Sequence, residues 1–363
     1  MNALEALLTY PLDTPASETL PAGGHALPVA VGVKWIRMAL PFALNHINLW
    51  LLRDCIDGRQ GWTVVDCCID RAESREQWTQ IFAIELEGLP ILRVIVTHMH
   101  PDHIGLAHWL CQRWSTPEQT CMLWISATDF NAARMACLAS PEMAAGHGGE
   151  AAAAFVASHG MSNPDYLKQI RERTGYYAQM VPRVPSSYVR IMDGMALKIG
   201  GNDWHCIAGY GHAPEHIALH CPTLNLLISG DMILPRISTN VSVYDLEPEA
   251  NSLKLFLDSI AKMKALPDDT LILPSHGKPF IGLHKRIKQL EDHHAERLAE
   301  VVDACAKAPQ TAHDIVAIMF KRTLDLHQLT FAQGEALAHL HLLMFEGRLK
   351  RERQGGVYRF SAA

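Results

Sequence analysis

The 363-residue chain is short of the features that mark several large protein classes. No apolar run reaches the ~18 residues that a bilayer-spanning helix needs. The opening segment MNALEALLTYPLDTP lacks the basic start and long apolar stretch of a secretory leader, so the expected location is the cytoplasm, with no membrane partner. No CxxC pair occurs among the nine cysteines, and nine is odd. That argues against both a thiolate zinc ribbon and a disulfide framework, and reads instead as small buried hydrophobes in a reducing compartment. Basic charge is also in deficit: 32 Lys and Arg against 38 Asp and Glu give a net charge of -6, the wrong sign for a chain whose main partner is nucleic acid. Internal repeats and low-complexity linkers are absent as well. A hydrophobic fraction of 48% with 19% charged residues excludes wholesale disorder. The one residue type in unusual supply is histidine, with twenty.

At ~150 residues per domain the length suggests two domains. Residues 1–30, punctuated by Pro and Gly, read as an irregular lead-in. From Val31 strand patterns begin (VKWIRMAL, NHINLWLLRD, GWTVVDCCID), followed by a helix around Trp78, Ile81, Phe82 and Leu86 and by the nearly continuous apolar run ILRVIVT at 91–97. Strands alternating with helices predict an α/β core with buried strands. Residues 126–180, opening on Ser126-Ala-Thr-Asp129, read as a helical insertion. Strand signals return at 189–199, 203–208, 217–221, 224–229 and 270–273, and helices fit 249–265 and 284–306. The last ~60 residues hold a helix from Thr311-Ala-His-Asp314, a second at about 331–347, and a hairpin turning at Gly355-Gly356. The expected organisation is a lead-in at 1–30, a catalytic domain at 31–282, and a long helix with a winged-helix-like domain at 283–363.

The histidines concentrate where such a core ends its strands. THMHPDHIG at 97–105 puts His98, His100, Asp102 and His103 at the end of the buried run. Alternation along an extended strand would aim His98 and His100 the same way, so that both grip one ion, while Pro101 turns Asp102 and His103 toward a second position. Three further candidates repeat the placement: WHCIAGYGH ends in His212, LNLLISGD in Asp231 and TLILPSHG in His276, each just past an apolar strand-like run. Imidazole and carboxylate without thiolate suit zinc, manganese or iron. By contrast, His293, His294, His339 and His341 fall on predicted helices and read as solvated or partly buried. Trp35, Arg37, Asn45 and His46 lie on early strands where they could line a pocket.

HMHPDH followed by GH, SGD and PSHG resembles the metallo-β-lactamase superfamily pattern, HxHxDH with separate His, Asp and His ligands, over roughly residues 30–282. The resemblance implies an αββα sandwich with the site at one edge of its two sheets. It implies two divalent metal ions: one held by His98, His100 and His212, the other by Asp102, His103 and His276, with Asp231 bridging. A hydroxide between the ions would be the nucleophile of a hydrolase, with Asp102 orienting it and shuttling its proton. The tail resembles that of the lactamase-beta-like branch. Two departures stand out. GHAPEH at 211–216 replaces the common GHTPGH, leaving His216 either as a supporting or substrate-facing catalytic group or as a structural residue. VDTG is replaced by Val65-Asp66-Cys67-Cys68, where Asp66 is expected to support the ligand loops.

For a substrate, the expectation is a small-molecule ester or thioester, as in glyoxalase II-like members, although the basic glutathione clamp of glyoxalase II is not found here. The insertion would then be a lid over the pocket, or a packing or dimer element; a homodimer is open. A nuclease is the second reading, because Arg348, Lys350, Arg351, Arg353 and Arg359 make the tail hairpin locally basic. Glu346 and Glu352 dilute that charge, and no paired aromatics are present to stack bases. A mononuclear iron oxygenase of the persulfide dioxygenase type, using His98, His212 and Asp231, is the third.

Overall fold

The structure, a computed structural model, describes residues 5–13, 19–138, 149–173 and 175–363. Parts of the expected lead-in (1–4, 14–18) and of the expected helical insertion (139–148, 174) lie outside the described residues. The strands are β1 (Ala26–Ala30), β2 (Val33–Ala39), β3 (His46–Ile56), β4 (Arg59–Val65), β5 (Ile91–Ile95), β6 (Met122–Ile125) and β7 (Tyr188–Arg190) in one sheet, with β8 (Ala196–Ile199), β9 (Asn202–Gly209), β10 (His216–Cys221), β11 (Leu226–Gly230) and β12 (Leu271–Pro274) in a second. The first sheet runs in sequence order, antiparallel from β1 to β4 and parallel from β4 to β7. The second runs β12-β11-β10-β9-β8, with β11 and β12 its parallel pair.

Two buried faces explain why these strands read as continuous apolar runs. Along β2 and β3, Trp35, Trp50 and Leu52 enter the core between the sheets, while their neighbours Ile36, Leu49 and Leu51 enter the core under the helices. Trp35 and Trp50 pair across the strands with ring centroids 6.3 Å apart, facing Ile217, Leu219 and Ile228 of the second sheet. The outer face of the first sheet is covered by α1 (Ala72–Ile84), α3 (Ala107–Trp114), α4 (Ala127–Leu138) and α7 (Tyr176–Met180), with the single turn α2 (Pro101–Ile104) at its edge. Before α7 come α5 (Gly149–Ser158) and α6 (Pro164–Glu172), which share a small apolar cluster of their own. The second sheet is covered by α8 (Ser252–Lys262), α9 (Leu283–Lys307), α10 (Ala312–Met319) and α11 (Leu326–Phe345). The result is the αββα sandwich expected.

The far edge of the sandwich is stitched by a buried ion pair. Arg93 on β5 donates to Asp54 on β3 at 2.7 Å and to Thr63 at 2.9 Å, and also to the Lys198 carbonyl of the other sheet. Asp54 in turn accepts from the Gly200 amide at 3.1 Å.

The tail folds as α10, α11 and the hairpin β13 (Leu349–Gln354) and β14 (Val357–Ala362). Thr311 and Asp314 cap α10 reciprocally, as their spacing suggests. One expectation needs correction. His294, His339 and His341 are fully buried rather than solvated or partly buried: the apolar stripe of α9 packs against α8 and α11, and His294 meets His339 at 3.2 Å inside that contact. Burial drives His294 down to about 3 and His339 to about 4, so both are neutral core groups. Among the described residues, no helix is long and apolar enough to cross a membrane.

Candidate metal centre

Four loops at one edge of the sandwich bring the candidate residues together. The first leaves β5. Here the structure differs from strand-alternation reasoning: β5 ends at Ile95, and residues 97–100 form a bend that delivers His98 and His100 from a loop before Pro101 opens α2. His212 follows β9, Asp231 follows β11 and His276 follows β12, at the strand ends the sequence indicates. The loops are tied across the sheets, Ile217 N donating to Thr97 O at 2.8 Å and Asn48 N to Ser275 O at 2.7 Å.

Seven side chains converge there in two overlapping sets. His98 Nε2 lies 2.9 Å from His100 Nδ1 and 3.3 Å from His212 Nε2, and His212 Nε2 lies 3.3 Å from Asp231 Oδ2. In the second set, Asp102 Oδ2 is 3.7 Å from His103 Nε2 and 3.5 Å from His276 Nε2, and Asp231 Oδ1 is 3.5 Å and 3.4 Å from those two nitrogens. Ligands at ~2.05 Å from a tetrahedral ion stand ~3.3 Å from one another, so both sets match the edges of such a polyhedron. His103 Nε2 and Asp231 Oδ1 are buried without a hydrogen-bond partner, a cost that a cation between them would remove.

The imidazoles are held by their other nitrogens. His98 Nδ1 meets Thr97 Oγ1 at 3.0 Å, His103 Nδ1 donates to Asp66 Oδ2 at 2.8 Å, His212 Nδ1 to Asn240 O at 2.7 Å and His276 Nδ1 to His46 O at 2.7 Å. For the last three this fixes the tautomer whose Nε2 lone pair points into the site. The local charge is short of cation. Burial opposes protonation of His103, yet Asp66, Asp102 and Asp231 together push it up to about 10. His98, buried and set against the imidazoles of His103, His100, His212 and His216, is pushed well below its ordinary value.

Asp66 does the supporting work expected of it. It stands in the left-handed region (φ 62), as does Cys68 (φ 70), where the resembling VDTG pattern carries glycine. From there its carboxylate also accepts from the Thr97 amide at 2.8 Å. His216 is fully buried on β10, and the Asp231 amide donates to its Nε2 at 3.2 Å. It thus faces the back of a ligand loop and is not among the residues lining the cavity in front of the ligands. A Cβ on Gly230 (φ +53) would meet His216 Nε2 at 2.0 Å, which explains the glycine in SGD. Of the early-strand residues, Trp35 is buried between the sheets. Arg37 Nη1 instead donates to Gly277 O at 3.2 Å, and His46 Nε2 accepts from Gly277 N at 2.8 Å, so both brace the His276 loop.

Sequence reasoning missed two clamps. Asp129 in α4, visible only as part of a helix start, accepts from Met99 N at 2.7 Å and Glu215 N at 2.6 Å, joining the first and second ligand loops. Tyr177 in α7 donates to Met99 O at 2.5 Å. In front of the ligands opens a cavity of about 690 Å³, lined in part by His100, Asp102, His212, Asp231 and His276. The walls come from α5–α7, the Leu40–Leu44 loop and α11, whose Gln333 donates to Val156 O across the gap at 2.8 Å.

The sequence and the fold both have counterparts among known proteins. The sequence model of the metallo-beta-lactamase superfamily matches residues 44–130 and 144–276, and that of the metallo-beta-lactamase-like C-terminal domain matches 298–363. The chain is 22% identical over 344 residues to the probable metallo-hydrolase YqjP of Bacillus subtilis (strain 168), covering 90% of this chain and 96% of that one. Among solved structures, a beta-lactamase domain protein from Burkholderia ambifaria is 52% identical, with full coverage of both chains and a TM-score of 0.91. The metallo-beta-lactamase family protein TTHA1429 from Thermus thermophilus is 24% identical, with a TM-score of 0.72 over 93% of this chain and 100% of that one.

Proposed function

The chain belongs to the metallo-β-lactamase superfamily, and from that premise we propose that it is a binuclear metal-dependent hydrolase of a small-molecule ester or thioester. One observation carries the reading: Asp231 presents one carboxylate oxygen to each of two imidazole sets, each set having the spacing of a divalent-ion polyhedron. His98, His100 and His212 would hold one ion, Asp102, His103 and His276 the other, and Asp231 both. The nitrogen and oxygen donors suit zinc, with manganese or iron as substitutes. When bound, such ions supply a nucleophile from water near neutral pH and polarise the substrate oxygen.

The chain's own residues supply position and proton handling. Asp102 is the more exposed ligand carboxylate, its side chain 19% accessible against 10% for Asp231, and it lines the cavity. It is therefore placed to orient an attacking water and take its proton. Thr97, Asp66, Asn240 and the His46 carbonyl keep the imidazoles aimed, and the Asp129 clamp keeps the loops in register.

A small molecule is favoured over nucleic acid because the site lies inside a cavity rather than along an open groove. Three of the five basic residues of the hairpin are also paired with carboxylates: Arg351 with Glu249 at 2.9 Å, Lys350 with Glu352 at 3.7 Å and Arg348 with Glu346 at 3.4 Å. Two ions are favoured over a single iron because Asp102, His103 and His276 form a set as well spaced as the first. The test is metal content by mass spectrometry on gently purified protein, with turnover measured on thioester, lactone and phosphodiester panels. About two ions per chain with ester or thioester hydrolysis supports the proposal. A single iron with oxygen uptake, or phosphodiester cleavage alone, overturns it.

A further inference from the structure

The cavity that holds the ligand side chains is also lined by a second group of residues with a different chemistry. There the end of α6 meets the start of α11. Arg173, half-buried just past α6, lays its guanidinium over the Tyr176 ring at 5.9 Å. The same ring lies 5.8 Å from the His327 imidazole of α11. His327 is held below its ordinary value by burial and by the charge of Arg173. Arg322, on the connector before α11, donates from Nη1 to Gln328 Oε1 at 2.7 Å, one residue along from His327. All of these residues line the one cavity that also holds the ligand side chains.

Neither guanidinium has a carboxylate partner within ion-pair distance among the described residues, unlike Arg93, which is buried and paired with Asp54. Of the acids that line the cavity, Asp325 lies in this same group, accepting from Gln328 N at 2.8 Å to cap α11 and acting on His327 by its charge, while Glu335 is bonded to Asn240 and Asp245 has a partner of its own. The same lining includes the apolar side chains Phe155, Ile170, Leu234, Ile237 and Phe331. Arg173, half-buried, and Arg322, exposed, thus both offer guanidinium donors to an anionic group inside the cavity.

We propose that this group is an anion subsite, in which Arg173 and Arg322 hold a carboxylate or phosphate carried by a substrate whose apolar body lies in the cavity. The position of the reacting bond at the ligand cluster rests on the hydrolase reading; the binding of the anion does not. The cavity lies within the ~300–1,000 Å³ span of sites for drug-sized ligands, room for such a molecule.

The test separates the two claims. Equilibrium binding to the holoprotein is measured for straight-chain monocarboxylates from hexanoate to dodecanoate, for the dicarboxylates of the same lengths, and for their ω-phosphooxy counterparts. Each member of a set offers the same carboxylate to the metal end, so any difference reports the far end. At the best chain length a second anionic group should tighten binding about tenfold to a hundredfold, as charge-assisted hydrogen bonds do. The preference should vanish in R173Q/R322Q, with monocarboxylate binding unchanged; whichever anion gains more identifies the natural group. Equal binding of mono- and difunctional chains at every length, or a preference that survives in R173Q/R322Q, overturns the subsite. In parallel, turnover is followed on thioesters of the same acids. Preference in binding without turnover leaves the subsite standing and removes the hydrolase reading; turnover with no anion preference does the reverse.

Discussion

Replacing Asp66 with Asn tests how the buried support of the centre sets its affinity. The Asp66 carboxylate accepts from Thr97 N at 2.8 Å through Oδ1 and from His103 Nδ1 at 2.8 Å through Oδ2. It thereby keeps the proton on Nδ1 and the Nε2 lone pair toward Asp102 and Asp231. In Asp66→Asn the Thr97 amide claims the carbonyl oxygen, and the side-chain NH2 is left facing His103 Nδ1. Two donors cannot share that contact, so the proton shifts to Nε2 or the ring turns, and either way the ligand lone pair leaves the site. Asn tolerates the left-handed conformation that Asp66 adopts at φ 62, so the backbone turn itself is kept. Losing the outer partner of a ligating histidine typically costs ~10–100-fold in metal affinity, or ~1.4–2.8 kcal/mol. A zinc titration against a chromophoric chelator should therefore show one of the two binding steps weakened by that factor, with the other moving far less. Two binding steps as tight as in wild type, in a variant of unchanged Tm, would refute the reasoning.

Three further predictions concern stability. Burial raises the Glu335 carboxyl to about 7 from its ordinary 4.5, so its protonated form is favoured in the fold. That contribution is complete below the ordinary value and is lost as pH rises to about 7; urea melts of wild type should fall relative to Glu335→Gln by at most about 3 kcal/mol across that window, and a pH-independent difference would contradict the assignment. Asp54→Ala strands Arg93 in the sandwich and should cost ~3–5 kcal/mol by denaturant unfolding, whereas a loss under ~1 kcal/mol would show that water or another acceptor rescues the guanidinium. Gly230→Ala combines φ +53 with a Cβ 2.0 Å from His216 Nε2, so it should lower Tm and weaken metal binding together; a variant with native Tm and affinity would show that the Asp231 loop relaxes freely.

Much of this was legible because β-strand physics leaves a periodic trace. Trp35, Trp50 and Leu52 alternate with Ile36, Leu49 and Leu51 to feed two cores, and each apolar run stops where a ligand loop begins. HMHPDH, GH, SGD and PSHG carry the ligand types in short motifs, so the seven residues could be named before their convergence was seen. The loop geometry at 97–100 was not legible, since alternation presupposes a strand that in fact ends two residues earlier, at Ile95. Nor were the supports that act through backbone atoms: the Asn240 and His46 carbonyls that orient His212 and His276 leave no side-chain signature. Asp129 is disguised because a carboxylate at a helix start has an ordinary local role. The buried state of His294, His339 and His341 depends on how α9 meets α8 and α11, a packing choice that no local pattern encodes. The cavity, assembled from α5–α7 and α11 far apart in sequence, was equally out of reach.

The central claim is that the cluster is two sites sharing Asp231. The most direct measurement is metal stoichiometry and position by anomalous diffraction on wild type, His276→Ala and Asp231→Asn. The account predicts two peaks in wild type, one between His98, His100 and His212 and one between Asp102, His103 and His276. His276→Ala should lose the second peak alone, and Asp231→Asn should deplete both. One peak in wild type, untouched by His276→Ala, would contradict it.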